Sequence, residues 1–185
     1  MSRSSDPREP VLALLRAHAG QSLGEHEQAM TAATIAFVEA QPRCAERSLA
    51  IGHLTGSAWI VDVSRRRTLL THHRKLDKWL QLGGHADGDL DLPNVAATEA
   101  REESGLTSLS PLATSIFDVD RHWIPARPNE PAHWHYDLRF LWGADAAEPF
   151  VISAESKDLA WIEIARMADY NAEESMMRMA RKTLG

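Results

Sequence analysis

The protein has 185 residues, of which 44% are hydrophobic, and these values suit one compact globular domain with a modest extension. A formal net charge of −6 argues against a nucleic-acid polymer as a partner, because phosphate backbones are held mainly by cationic side chains. Cys44 is the only cysteine, which excludes an internal disulfide and favours a reducing compartment, the cytoplasm.

The sequence contains no apolar run of the length that a membrane span requires. Residues 1–10 include four charged side chains and do not resemble a signal peptide. We therefore expect no membrane partner. A protein with this negative charge needs a positive intermediary to handle an anionic substrate, and a divalent metal ion would provide it.

Two helices are predicted at the start of the chain. Residues 10–19 have apolar side chains at helical spacing. Ser22 and Glu25 form a capping-box pattern before a second helical run that continues to Ala40. Neither segment has a catalytic pattern. We interpret residues 1–48 as a helical extension packed on the main domain or at a subunit contact, with a separate binding module as the alternative.

Residues 49–185 have the pattern of a single domain with short strands. The predicted strands cover residues 57–63, 68–73, 79–82, 116–124, 135–142 and 159–164. One helix is expected within the strand region, over residues 93–104, and a closing helix capped by Asn171 extends to Leu184. Strands with one embedded helix and terminal helices predict an α+β fold, arranged as an α/β/α sandwich.

Three glutamates share one face of the embedded helix. Glu99, Glu102 and Glu103 stand at positions i, i+3 and i+4, so their side chains are neighbours and their charges repel. Hard divalent cations such as Mg²⁺ prefer carboxylate oxygens, and substrate phosphates often complete their coordination. Taken alone, such a face is more often simply solvated, so the spacing of the surrounding residues decides its interpretation.

The stretch from residue 83 to residue 106 resembles the Nudix box, Gly-x5-Glu-x7-Arg-Glu-U-x-Glu-Glu-x-Gly-U, in which U is a bulky aliphatic residue. The residues in register are Gly84, Glu99, Glu102, Glu103, Gly105 and Leu106. The resemblance implies a Nudix-type sandwich with a mixed sheet. Leu90 and Thr98 depart from the pattern, since they replace its first Glu and its Arg.

The resemblance implies a hydrolase that cleaves a diphosphate linkage in a nucleoside diphosphate-linked or related small molecule. By the same resemblance, the residues that would hold Mg²⁺ or Mn²⁺ are Gly83, through its carbonyl, Glu99, Glu102 and Glu103. The general base varies within the family, so Glu102, Glu103 and Glu155 are all candidates. Because Nudix proteins often dimerise, a homodimer is also compatible with the resemblance.

Cationic and histidine side chains are predicted to bind the substrate. The candidates are Arg74, Lys75, His85, His133, His135 and Arg139. His133 and His135 share one face of a strand, and His85 follows the glycine pair. The GGH element at residues 83–85 and the later His-x-His-x-Asp strand at residues 133–137 resemble those of one Nudix subgroup. We expect the histidines to line the cleft, while a dedicated site for a softer metal such as zinc and ordinary surface histidines remain as alternatives.

Two other functions compete with hydrolysis. A non-catalytic Nudix-fold protein that binds a nucleotide as a sensor is the main alternative, and Leu90 and Thr98 are its support. Asp89 or Asp91 is a candidate to replace the missing carboxylate. An isomerase of the isopentenyl diphosphate type shares the fold but uses a cysteine close to the site. Cys44 lies far ahead of the box, which disfavours that activity.

Overall fold

The computed structural model describes residues 6–128, 130–154 and 156–185. The helices are α1 (Glu9–Ala19), α2 (Glu25–Ala40), α3 (Leu92–Ser104) and α4 (Glu174–Leu184), with a 3₁₀ helix over Ile164–Asp169. The strands are β1 (Gly52–Val61), β2 (Arg67–His73), β3 (Lys78–Leu80), β4 (Leu82–His85), β5 (Ser110–Pro111), β6 (Asp118–Ile124), β7 (His133–Gly143) and β8 (Ser156–Glu163). None of the described helices is long and apolar enough to cross a membrane.

The strands form one mixed sheet built around β1 and β7. These two strands run parallel along their whole length, from Gly52 opposite Trp134 to Val61 opposite Gly143. The antiparallel partner of β1 changes along its length, from β4 in its middle to β2 at its end. On the outer sides, β6 pairs with β7 and β8 pairs with β2. The predicted mixed sheet is therefore confirmed.

Two hydrophobic clusters cover the two faces of the sheet. On one face, α3 approaches β1 closely at Gly56, where a Cβ would lie 2.9 Å from the Leu92 carbonyl oxygen. On the other face, Trp59 and Val61 of β1 pack with Met176 and other apolar residues of α4. Full burial of side chains of this size contributes roughly 1.5–3 kcal/mol each. The layers of helix, sheet and helix confirm the predicted sandwich.

The N-terminal helical pair packs onto this sandwich. Leu15 of α1 is fully buried in the hydrophobic cluster that also contains α3. Phe37 of α2 stacks on Tyr136 of β7, with ring centroids 3.9 Å apart and ring planes within 7° of parallel. The pair thus shares its core with the sheet. The division into an extension over residues 1–48 and a domain over residues 49–185 stays a prediction.

A buried network of charged side chains connects the sheet to α4 and α2. Arg139 donates hydrogen bonds to Asp137 at 2.8 Å and to Asp118 at 3.1 Å. Arg178 of α4 donates to the same Asp118 carboxylate at 2.7 Å and lies 3.8 Å from Glu27 of α2. Burial alone would raise the pKa of Asp118, but the hydrogen bonds from Arg178 and the nearby Arg139 charge hold it below its usual range.

Some element boundaries and caps differ from the predictions. β1 begins at Gly52, five residues before residue 57, because the polar start of the strand is buried against β7. The prediction of a capping box at Ser22 and Glu25 is wrong. Gly24 is the N-cap of α2, and no side chain forms a capping hydrogen bond at that helix. Asn171 precedes α4 by more than one residue. Its side chain accepts the backbone N–H of Glu173, which is the N-cap residue.

We expect Arg178→Met to lower the free energy of unfolding by about 3–5 kcal/mol, because the substitution leaves the buried carboxylates of Asp118 and Glu27 with one cation fewer. Urea unfolding followed by circular dichroism measures this loss. The control is Arg181→Met, one turn along α4, where the side chain is exposed and pairs with Glu174 at the surface. Its effect should be much smaller. Equal losses in the two variants would contradict a stabilising role for the buried network.

Candidate active site

One cleft brings together most of the predicted site residues. It has a volume of about 430 Å³ and lies between α3 and strands β1, β2, β4, β6 and β7. The predicted residues on its wall are Lys75, Gly83, His85, Glu99, Glu102, Glu103 and His135. Arg74, His133 and Arg139 are not part of this wall among the described residues. Glu155 lies outside the described residues.

Local signals at both ends of α3 position its glutamates. The Asp91 side chain caps the helix by accepting the backbone N–H of Asn94 at 3.2 Å. Gly105 ends it with a φ of 72°, a left-handed conformation that glycine adopts without strain. The helix between these signals is thirteen residues long. Its second half carries the three glutamates that line the cleft.

The three glutamates differ in their surroundings. Glu103 is 7% exposed, and its carboxylate accepts the backbone N–H of Gly83 at 3.1 Å. The Glu99 carboxylate packs directly on Gly84, where a Cβ would lie 2.3 Å from the Glu99 Cδ. Glu102 is exposed on the cleft wall. The two glycines of β4 therefore allow the strand to approach the carboxylate face of α3.

Neither residue that departs from the Nudix box lines the cleft. Leu90 is half-buried and packs against the hydrophobic core, and Thr98 is exposed. Asp89 accepts the backbone N–H of Asp91 at 2.8 Å, and Asp91 caps α3. Neither aspartate lines the cleft. The predicted replacement of the missing carboxylate by one of them is therefore not what the structure shows.

Carboxylates outnumber cationic side chains on the cleft wall. The acidic side chains are Asp87, Glu99, Glu102, Glu103, Glu130 and Asp137. The cationic side chains are Arg47, Lys75 and Arg127. An anionic ligand would meet net repulsion here unless a metal cation accompanied it. Hard oxygen donors are the ligands that Mg²⁺ prefers.

Asp137 forms the floor of the cleft. One of its oxygens accepts the hydroxyls of Thr55 at 2.8 Å and Ser57 at 2.7 Å, which joins β7 to β1. The other oxygen accepts hydrogen bonds from Gln81 at 3.1 Å and Arg139 at 2.8 Å. Burial would raise the pKa of Asp137, but the Arg139 charge holds it below its usual range. Arg139 thus lies beneath the floor, paired with carboxylates, instead of on the substrate side.

The two predicted cations after β2 have different positions. Arg74 donates to the carbonyl oxygens of Ala154 at 3.1 Å and Ser156 at 2.8 Å, so it supports the start of β8. Lys75 lies on the cleft wall. Arg47 and Arg127 share that wall but were missed, because nothing in their local sequence indicates which surface they reach.

Histidines from β1, β4 and β7 meet at one end of the cleft. His53 lies opposite His135 in the pairing of β1 with β7, and the two ring centroids are 4.8 Å apart. His85 lies 5.0 Å from His53, and His133 lies 4.9 Å from it. Burial, reinforced by neighbouring rings, lowers the pKa of His53 to about 4 and that of His135 to about 2. Both rings are therefore neutral near pH 7.

His53 is a site residue that the sequence reasoning missed. The available signal was the alternation of His53, Thr55 and Ser57, because alternate residues of a strand face the same side. The predicted strand begins only at residue 57, so it leaves out His53 and Thr55. In the structure the strand begins at Gly52, so all three polar residues lie on it.

Comparison with known proteins supports the architecture. No family model matches the sequence, and no curated protein matches it. The solved structure of a C. elegans Ap4A hydrolase in a binary complex is similar, with a TM-score of 0.56 and 17% identity over 70% of this chain and 93% of that chain. A NUDIX family hydrolase from Clostridium perfringens gives a TM-score of 0.54 and 22% identity, covering 71% of this chain and 95% of that chain. The chain has the Nudix fold.

A third similar structure is the E. coli dihydroneopterin triphosphate pyrophosphohydrolase, with a TM-score of 0.52 and 15% identity over 70% of this chain and 92% of that chain. Sequence identities this low establish the fold, and the predicted Nudix fold is confirmed. Within it, α3 carries the stretch that resembles the Nudix box. The predicted subgroup, with its GGH element and His-x-His-x-Asp strand, stays a prediction.

We expect Gly84→Ala to weaken Mn²⁺ binding by at least about tenfold, because the added Cβ displaces the Glu99 carboxylate from its contact with β4. Titration followed by the electron paramagnetic resonance of free Mn²⁺ measures the affinity. Gly24→Ala is the matched control, since a Cβ there meets no atom within 4 Å. An unchanged affinity in Gly84→Ala would show that the Glu99 position does not matter for the metal.

Proposed function

We propose that the protein is a divalent-metal-dependent hydrolase that cleaves a diphosphate linkage in a nucleoside diphosphate-linked or related small molecule. The observation that carries this proposal is the convergence of Glu99, Glu102 and Glu103 with the glycine pair of β4 in one acidic cleft of a Nudix fold. Two similar structures bear the names Ap4A hydrolase and dihydroneopterin triphosphate pyrophosphohydrolase, which agrees with the proposed chemistry.

The residues of the cleft fit Mg²⁺ or Mn²⁺. The proposed donors are the Gly83 carbonyl oxygen and the carboxylates of Glu99, Glu102 and Glu103. All are hard oxygen ligands, and Glu99 is held in place by its close packing on β4. A bound divalent ion would neutralise phosphate charge and make the attacking water more acidic.

Glu102 is the carboxylate we favour as general base. A general base must reach the water whose proton it takes, and Glu102 is exposed on the cleft wall. Glu103 is buried and accepts the Gly83 N–H, while Glu99 packs against Gly84. Both are better placed to hold a cation than to move a proton. Glu155 stays a candidate that lies outside the described residues.

The remaining polar groups of the wall suit a small phosphorylated compound. Lys75 and Arg127 provide positive charge for phosphate oxygens that a metal ion does not contact. The cleft volume of about 430 Å³ falls within the usual range of small-molecule sites, roughly 300–1,000 Å³. A nucleotide-sized molecule fits this space. A homodimer and a cytoplasmic location stay predictions.

The test is a panel of nucleoside triphosphates, nucleotide sugars, ADP-ribose, dinucleotides and prenyl diphosphates, assayed with Mg²⁺ and with Mn²⁺. We expect turnover of at least one class, abolished by chelation and reduced by about 100-fold or more in Glu102→Gln, because general-base catalysis contributes at least that factor. The control is Glu163→Gln, an exposed glutamate at the end of β8, which should leave turnover unchanged.

A silent panel would contradict the hydrolase, provided that calorimetry of the same preparation still detects nucleotide binding. That result would favour the non-catalytic nucleotide-binding protein. Turnover that survives in Glu102→Gln but is lost on chelation would support the hydrolase. It would also show that a carboxylate other than Glu102 is the general base.

A further inference from the structure

We propose that His53, His85 and His135 form a second metal centre, for a divalent transition ion such as zinc, at the histidine end of the cleft. Each of the three side chains offers a ring nitrogen, and these nitrogens all lie within 4.8 Å of one another. The three residues come from three different strands, β1, β4 and β7. Their convergence is therefore produced by the fold and not by a local sequence motif.

Unpartnered ring nitrogens indicate that a ligand belongs between these side chains. His53 is only 1% exposed, and among the described residues neither of its ring nitrogens has a hydrogen-bond partner. The Nε2 atom of His85 is likewise buried and without such a partner within the described chain. Buried polar atoms in native proteins are nearly always hydrogen-bonded or bound to an ion. A metal ion accounts for these nitrogens together.

His133 orients the ring of His135. The Nδ1 atom of His133 lies 2.8 Å from the carbonyl oxygen of Pro131, and because a carbonyl can only accept, this nitrogen is the donor. The Nε2 atom of His133 lies 3.0 Å from Nε2 of His135. If His135 donates from that nitrogen, its Nδ1 carries a lone pair. A metal-binding histidine usually has its second nitrogen held in this way by a neighbouring group.

The donor set selects the type of ion. Imidazole nitrogens suit zinc, copper, nickel and iron, whereas Mg²⁺ prefers the oxygen donors of the α3 carboxylates. Zinc–nitrogen bonds of about 2.0–2.1 Å place tetrahedral donors roughly 3.4 Å apart, so the three rings need to move inward by only about 1 Å.

The proposed centre has an open coordination position. A structural zinc site normally has four protein ligands, whereas three leave one position for water or for a substrate oxygen. His85 and His135 both line the cleft, so this position is accessible from the cleft side. A bound ion there would add positive charge to a cleft whose wall carries an excess of carboxylates. The ligand class that fits it is an anionic oxygen.

The experiment is metal analysis of the full chain, expressed without a histidine tag in zinc-supplemented medium and dialysed against Mg²⁺. We expect the wild type to retain about one zinc ion per chain, and His53→Ala and His85→Ala to retain at least about tenfold less. His72→Ala is the matched control, because His72 is a histidine outside the cluster that bonds Asp77. It should retain zinc as the wild type does.

A second measurement does not depend on the folding of any variant. Co²⁺ added to the metal-free wild type should give the visible absorption of a low-symmetry nitrogen site, and zinc, but not Mg²⁺, should abolish it. Wild type that binds neither zinc nor Co²⁺ overturns the proposal. Retention of zinc by both His53→Ala and His85→Ala overturns it as well.

One further variant separates this proposal from the proposed hydrolase. Glu102→Gln removes a carboxylate of α3 and leaves the three histidines unchanged, so it should retain zinc. Loss of zinc from Glu102→Gln would indicate that the carboxylates of α3 bind the ion, and it would overturn the proposed histidine centre. A silent substrate panel, by contrast, would contradict the hydrolase without affecting zinc binding.

Discussion

Arg139 lies in the interior of the sheet between Asp137 and Asp118, and all three side chains are at most 2% exposed. Charges at this depth are tolerated only when each is paired and hydrogen-bonded, so the geometry of these residues is tightly constrained. Asp137 in turn accepts the hydroxyls of Thr55 and Ser57. A shift in the register of β1 against β7 would therefore remove the two hydroxyl hydrogen bonds to the buried Asp137 carboxylate. The floor of the cleft is fixed by this arrangement.

The fixed floor positions two groups of ligands with different chemistry. The parallel pairing of β1 with β7 places His53 beside His135, two residues from the Thr55–Asp137 contact. Along the same cleft, β4 approaches α3 closely enough for Gly83 to donate to Glu103. The cleft thus offers oxygen donors from α3 and nitrogen donors from the histidines of β4 and β7. A phosphorylated compound bound along the cleft would meet the positive charge of Arg47, Lys75 and Arg127, together with that of any metal ion held by these donors.

Local features of the sequence were sufficient to predict α3 and its glutamates. The proline near its start, the spacing of its three glutamates and the terminal glycine all act within a few residues of one another. The partners of charged side chains are different, because they depend on contacts between distant segments. Arg139 was predicted to bind substrate and is paired with buried aspartates. His53 was missed because its position beside His135 depends on the pairing of β1 with β7, two strands that are far apart in the sequence.

The most direct test of the account is the position of Mn²⁺ in crystals, located by anomalous scattering at the manganese edge. We expect a peak bounded by the Gly83 carbonyl oxygen and the carboxylates of Glu99, Glu102 and Glu103. Such a peak would establish that the helix of the Nudix box holds a divalent ion despite Leu90 and Thr98. No peak on this face of α3 at saturating Mn²⁺ would contradict metal-dependent hydrolysis in this cleft.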